Sequence, residues 1–231
     1  MALPSPSCLT AQLHFLARNP KYEHEKPYTL RYTPSPEDGL SQSNIDRVQH
    51  EVKFHDLRLR SLDYSECGFT VTDCSSILQY DDYADTDKIE KAHAPEVMVA
   101  VRLALGATSV DLLDYVWLTS VWHPLRGPLV DWPLALCDAQ TVDFARDTMA
   151  GDVVDRDNVF ENTQVHFNEG QRWFYLSNQL PTELLIFKNA DSQEPLGATP
   201  GVPHASFDNP ITSEEDFRRE SIEMRVLVQW D

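Results

Sequence analysis

The alternation of apolar and polar positions is clearest near the end of the chain, where Ile222, Met224, Val226 and Val228 interleave with Glu223, Arg225 and Gln229. Successive side chains of a strand point to opposite faces, so this pattern predicts a strand with one buried face. Leu57 and Leu59 against Asp56, Arg58 and Arg60 predict another over residues 54–60. Short apolar runs at 68–72, 110–112, 118–122, 133–137, 172–177 and 183–187 predict further strands, the last two paired through a turn at Asn178-Gln-Leu-Pro181. One segment changes period: Val97, Val101, Ala104 and Leu105 fall on one helical face, Pro95 and Glu96 suit a first turn, and Gly106 suits the stop. Residues 141–149 read as a second, weaker helix. Many short strands after one good helix predict a mainly β chain with some helix, a β-sandwich or jelly roll.

Residues 1–50 are polar and punctuated by proline, with one apolar patch at Leu13–Leu16, and read as an arm laid on a single domain over 51–231. Asp81 to Asp87 reads as an acidic loop. A hydrophobic share of 42% in 231 residues is enough for one real core. The formal charge of −18 and a pI near 4.7 speak against nucleic acid or an anionic membrane as partner, since both need concentrated Lys and Arg. The start has neither a cationic segment nor an apolar one of signal-peptide type, and no Asn-x-Ser/Thr sequon occurs, so the cytosol is the expected location. Of the four cysteines, Cys67 and Cys74 are close enough in sequence to pair, but buried free thiols are the expectation.

Eight histidines in an acidic chain raise the question of metal. A two-His-one-carboxylate iron site needs His-x-Asp or His-x-Glu, because residues i and i+2 leave a strand on the same face. None of His14, His24, His50, His55, His93, His123, His166 and His204 has an acid two positions on. Neither HExxH nor a zinc spacing of Cys and His is present.

The tail carries a different signal. His204 precedes Arg219-Glu220-Ser221 by about fifteen residues, an arrangement that resembles the distal iron ligand and carboxylate clamp of 2-oxoglutarate-dependent oxygenases. Arginine suits that clamp because its planar fork meets a carboxylate in two bonds. Around it stand Gly106-Ala-Thr-Ser-Val-Asp-Leu-Leu-Asp114, Val121-Trp-His-Pro-Leu-Arg-Gly-Pro-Leu-Val-Asp-Trp-Pro-Leu-Ala-Leu-Cys-Asp138, Arg172-Trp-Phe-Tyr175, Glu183-Leu-Leu-Ile-Phe-Lys188, Asp191-Ser192, Pro203-His-Ala-Ser-Phe207 and Arg219-Glu-Ser-Ile-Glu-Met-Arg225. From about Val52 onward the chain thus resembles the fungal hydroxylase/desaturase family that includes the gibberellin desaturase and relatives of a cephamycin methoxylation protein.

The resemblance implies a double-stranded β-helix, His204 as distal iron ligand, and Arg219 with Ser221 as the 2-oxoglutarate clamp. It also exposes a departure. Family members carry several dozen residues, His-x-Asp among them, between the segments that here end at Trp117 and begin at Val121. His123 stands where the family has arginine. A degenerate barrel is therefore expected, with no metal and no cofactor, acting in fungal secondary metabolism on a small apolar metabolite of terpenoid or polyketide class. Cyclisation or isomerisation, including pericyclic Diels–Alder chemistry, suits such a pocket. Lys188, His204 and Arg219 are the expected catalytic groups, and Trp122, His123, Trp132, Trp173, Tyr175, Ser221 and Arg225 the expected substrate contacts. Phe174 is a further candidate for the pocket wall. His204 and Arg219 are expected in an apolar cavity, Arg219 paired with Glu183 or Glu223. Two alternatives stand beside this reading: an iron oxygenase with non-standard ligands, in which His204, His123 and Asp131 rebuild a site, and an inactive partner of a longer, active homologue. A homodimer or pairing with such a homologue is the expected assembly.

Overall fold

A computed structural model describes residues 8–60, 62–112, 119–191 and 201–230. Leu118, expected to open a strand, Ser192, and the junction at 113–118 where the family segment is missing lie outside the described residues. The strands are β1 (Cys8–Leu16), β2 (Tyr28–Leu30), β3 (Arg47–Asp56), β4 (Phe69–Asp73), β5 (Ser109–Leu112), β6 (Thr119–Pro124), β7 (Leu134–Cys137), β8 (Thr148–Val154), β9 (Val159–Val165), β10 (Trp173–Tyr175), β11 (Glu183–Lys188), β12 (His204–Ser206) and β13 (Ser221–Gln229). Among the helical segments are the single turn α1 (Tyr64–Cys67) and the longer α2 (Ala94–Leu105). All four cysteines are free thiols.

The chain gathers into two compact units: Met1–Ala11, Lys53–Gln140 and Arg172–Asp231 in one, Gln12–Val52 and Thr141–Gln171 in the other. In the second unit β2, β8 and β9 form a sheet of three strands. The helix expected over 141–149 is cut to the single turn Phe144–Asp147, because the chain from Thr148 pairs along seven positions with β9. The buried Asp147 carboxylate ends that turn, accepting from Arg18 Nη2 at 3.2 Å, Asn168 Nδ2 at 2.9 Å and Asp143 N at 3.2 Å.

The first unit contains a five-stranded sheet of order β4-β11-β6-β13-β5. The other five-stranded sheet has the order β1-β3-β10-β7-β12, its strands β1 and β3 running on in sequence into residues of the second unit. The expected pairing of 172–177 with 183–187 does not form. β10 lies between β3 and β7, and β11 between β4 and β6. Trp173, Phe174 and Tyr175 are buried on both faces, which suits a central strand rather than one arm of a hairpin.

Period-two alternation sorts the core into two layers. Phe69, Trp122, Leu185 and Phe187 from one sheet meet Leu134, Leu136, Phe174 and Leu176 from the other. The opposite face of the first sheet, Val121, Leu184, Ile186, Met224, Val226 and Val228, packs under Ala94, Val97 and Val101 of α2. Each Val, Leu, Ile, Phe or Met among them, fully buried, stabilises the fold by about 1.5–3 kcal/mol. Gly106 ends α2 as expected, at φ 60°, in the left-handed conformation that costs other residues strain.

Candidate functional site

The strand registers place the expected residues on definite faces. Across one sheet Phe69, Phe187, Ser120 and Arg225 form a row, and Val71, Leu185, Trp122 and Glu223 the next. Ser221 sits opposite Pro124 one row further on. Paired residues share a face, so Trp122, Ser221, Glu223 and Arg225 point with Phe187 toward the inter-sheet layer. Ser120 Oγ donates to Glu223 Oε1 at 2.7 Å and accepts from Asn189 Nδ2 at 2.6 Å.

The facing sheet supplies its own row. His55 is paired with Phe174, Phe174 with Leu136, and Leu136 with His204. Both histidines therefore share the face of Phe174, three strand spacings apart, or about 14 Å. The His204 ring lies 4.6 Å from that of Phe187, and its Nδ1 donates to Val202 O at 2.9 Å, which leaves Nε2 bare, with its lone pair free to accept.

Several expectations are corrected by these registers. Trp173 and Tyr175 alternate with Phe174 and so leave the strand on the other face, where Tyr175 meets the edge of Phe207, itself stacked on Phe54 at 4.0 Å. His123 alternates with Trp122 and lies under α2, against His93. Lys188 alternates with Phe187; its Nζ is 2.8 Å from Asp191 and 5.6 Å from the centre of the Tyr64 ring. Trp132 is 44% exposed, in a loop at φ 45°. His204 and Arg219 are exposed rather than set in an apolar cavity. Arg219 joins neither expected acid: Glu183 holds Arg58 in two bonds of 2.8 and 2.7 Å, and Glu223 takes the Ser120 hydroxyl. Instead Arg219 Nη1 lies 3.3 Å from Ser221 Oγ, and its backbone N–H donates to Asp131 Oδ2 at 2.8 Å.

A cleft of 1110 Å³ opens in the first unit beside α1, with Leu62, Tyr64, Phe174 and Trp230 among its walls and Lys188, His55, Arg60 and Arg172 among its polar groups. Of the ten residues expected in the site, Lys188 borders this cleft. Lys188 is held by Asp191 on one side, and Tyr64 OH is within 3.1 Å of Thr119 Oγ1, burial pushing that phenol up to about 12. His55, Arg60 and Arg172 were missed as site residues: His55 and Arg60 belong to no motif, Arg172 opens a quoted segment without an assigned role, and the three come together through strand pairing and the turn after β3. Burial lowers the His55 pKa below its ordinary value, and Lys53, Arg60 and Arg172 lower it further.

Three donors are the requirement for a resident iron, and among the described residues no three His, Cys, Asp or Glu side chains converge. Asp131 is engaged by Arg218 Nη1 at 3.3 Å and by the Arg219 backbone, and His123 by His93, so neither joins His204. The described donor set does not fit the iron of the oxygenases. Arg219 and Ser221, the expected clamp residues, lie side by side, Nη1 3.3 Å from Oγ.

The fold is that of the iron and 2-oxoglutarate oxygenases. The chain matches the family model described as "Oxidoreductase/YMDC permease-like domain" over residues 13–120 and 115–229 and belongs to that family, and fungal hydroxylase/desaturase proteins are among its homologues. It is 28% identical to the Fe(II)/2-oxoglutarate-dependent dioxygenase nvfI of Aspergillus novofumigatus, covering 86% of this chain and 90% of that one. Aspirochlorine biosynthesis protein N of Aspergillus oryzae is 35% identical over 60% of this chain and 54% of its own, and the gibberellin cluster GA4 desaturase of Gibberella fujikuroi 30% identical over 49% and 34%. Solved structures of the iron and alpha-ketoglutarate-dependent endoperoxidase NvfI share the fold, with a TM-score of 0.82 at 24% identity over 98% of this chain and 99% of theirs. The alignment with nvfI spans 257 positions, more than the 231 residues of this chain, so the relative carries residues that this chain lacks. The two stretches of the family match overlap at 115–120, at the point where the resemblance places the expected His-x-Asp segment. Among the described residues no helix is long and apolar enough to cross a membrane.

Proposed function

We propose that this chain is a tailoring enzyme of secondary metabolism that isomerises or cyclises a small apolar metabolite without an iron centre of its own. The donor set supports this reading: His204 matches the position of a family iron ligand, and among the described residues no second and third donor join it. The substrate would lie in the cleft beside α1, folded against Tyr64, Phe174 and Trp230. Holding a flexible chain near its reactive geometry removes entropy from the barrier in advance. The Lys188 ammonium, fixed by Asp191, would donate to a substrate carbonyl and stabilise negative charge developing there. A Diels–Alder or other pericyclic closure needs no more than these two contributions.

A second reading is favoured by a specific observation. Arg219 and Ser221 have the Arg-x-Ser spacing that resembles a clamp for the 2-oxoglutarate carboxylate and lie 3.3 Å apart, and nvfI is named for that chemistry. In this reading His204 and non-standard ligands would hold the iron, which supplies oxidation when bound.

Deleting the gene in its host separates the two. The metabolite that accumulates is expected to have the same mass as the product that is lost, and the purified chain is expected to convert one into the other in EDTA. A mass difference of one oxygen atom or two hydrogens, with turnover restored by Fe(II) and 2-oxoglutarate, would establish the oxygenase.

A further inference from the structure

His55 has no assigned role, yet its surroundings are those of a proton-transfer group. It ends the inward row His55–Phe174–Leu136–His204, with its ring 5.4 Å from Phe174, and it borders the cleft. Neither ring nitrogen has a hydrogen-bond partner among the described residues, so both are available to a ligand. Arg60 and Arg172 border the same cleft and are close enough to His55 to act on its charge. Arg172 is anchored by Asp138 at 2.7 Å, whereas Arg60 has no ion pair among the described residues. A neutral imidazole beside two guanidinium groups is poor at holding a proton while the cleft is empty. An anion bound between the two arginines would cancel their field, and the imidazole would then become a better base.

We infer that His55 is the proton-transferring residue of this cleft and that Arg60 and Arg172 form its anion clamp, so that the substrate is an apolar carboxylate or an acidic enol. This rests on the reading that the metabolite occupies the cleft. The step is a redox-neutral isomerisation. A ring nitrogen of His55 takes a proton from carbon conjugated with the carboxylate. The C–H pair moves into the π system, and charge builds on the oxygens between Arg60 and Arg172. The same proton then returns to a different carbon, forming a new C–H bond and shifting the double bond. No oxidant is consumed. The other charged groups facing this corner are Lys53 on the same strand, Lys188 with Asp191, and Asp63 and Glu66 at α1. Asp63 is tied to the first turn of α1, its Oδ1 accepting from Ser65 N and Oγ at 2.8 Å each.

The probe is cinnamate, an apolar carboxylate, with neutral cinnamamide as its control. Two signals are followed by NMR: the Trp230 indole, which reports occupancy of the cleft, and the His55 ring, titrated with pH and assigned by its loss in His55→Gln. Cinnamate is expected to shift Trp230 and to raise the His55 pKa by about one unit, a tenfold gain in proton affinity. Cinnamamide should leave the His55 titration where it was, and Arg60→Gln should abolish the rise. Once the natural substrate is in hand, His55→Gln should lower turnover by about 10²–10⁴-fold, with an unchanged thermal midpoint showing that the variant folds. A Trp230 shift without any change at His55 would overturn the base assignment and leave the cleft reading in place. Silence at both residues would overturn the two together.

Discussion

The Nε2 atoms of His93 and His123 stand 2.8 Å apart, both rings buried between α2 and the sheet beneath it. The contact fixes the protons. His123 Nδ1 faces Pro124 O at 3.0 Å and must carry hydrogen, so its Nε2 is bare and accepts from His93 Nε2–H. His93 Nδ1 is then bare as well and faces the Tyr83 hydroxyl at 3.4 Å. The pair is stable with both rings neutral, and protonating His123 would set two N–H groups against each other.

This arrangement predicts acid lability. Burial, helped by the neighbouring His93, lowers the His123 pKa from 6.5 to about 4, and burial lowers that of His93. The unfolded chain therefore takes up these protons first as pH falls, and it is favoured as it does so. Stability from the pair is complete above about pH 6.5 and is lost between there and about 4, on the order of 3 kcal/mol for His123 alone. Urea midpoints measured from pH 7.5 to 4.5 should fall through this window in the native chain. In the double variant His93→Leu/His123→Leu they should fall much less.

Gly68 predicts a different failure. It closes α1 at φ 88°, and a Cβ there would lie 2.5 Å from Val202 Cγ2. Gly68→Ala adds left-handed strain of about 1–2 kcal/mol to a steric clash of about 1–3 kcal/mol. Because Gly68 O also accepts from Lys188 N at 2.8 Å, the clash falls on a wall of the cleft. The thermal midpoint should drop by several degrees, whereas Gly39→Ala, also left-handed but with open space around its Cβ, should cost only the strain.

The packing of α2 is tested by two positions that hydropathy alone would not separate. Ile186 is fully buried under the helix, whereas Leu103 on α2 is 73% exposed. Ile186→Val should cost about 0.5–1.5 kcal/mol through the small void it leaves. Leu103→Ala should stay within about 0.5 kcal/mol of the native chain. Equal effects in chemical denaturation would mean that the helix buries a different face.

The sequence showed the fold most clearly where one face of an element is buried and the other is wet. β13 and α2 were legible for that reason. β10 was legible as a strand but not in its pairing, since three residues buried on both faces carry no directional signal. The hairpin of β8 and β9 was hidden because its burial pattern is mixed and exposed, and the one-turn helix before it supplied helical residues. In the site, the motif residues His204, Arg219 and Ser221 were visible through a family pattern, yet that pattern could not tell that the first two would be exposed. Lys188 was legible as a candidate, whereas His55, Arg60 and Arg172 became neighbours only through the parallel pairing of β3 with β10.

The two readings of the chemistry make opposite demands on Lys188 and Arg219. In the metal-independent reading the substrate carbonyl meets Lys188 in the cleft, while Arg219 stands outside its walls. Removing one preorganised donor from a developing charge costs about 10²–10³ in turnover. Lys188→Met should therefore lower kcat by about that factor, with a smaller change in KM, and Lys188→Arg should recover part of it because a cation remains beside Asp191. Arg219→Ala should change kcat by less than about tenfold, the range of an exposed residue acting from a distance. In the oxygenase reading the order inverts: Arg219→Ala weakens 2-oxoglutarate binding and uncouples turnover, and Lys188→Met is mild. Steady-state kinetics of the three variants on the metabolite recovered from the gene deletion, each run with EDTA and with Fe(II) plus 2-oxoglutarate, would decide it. A loss at Arg219 that exceeds the loss at Lys188 and appears only in the presence of iron would sink the metal-independent reading.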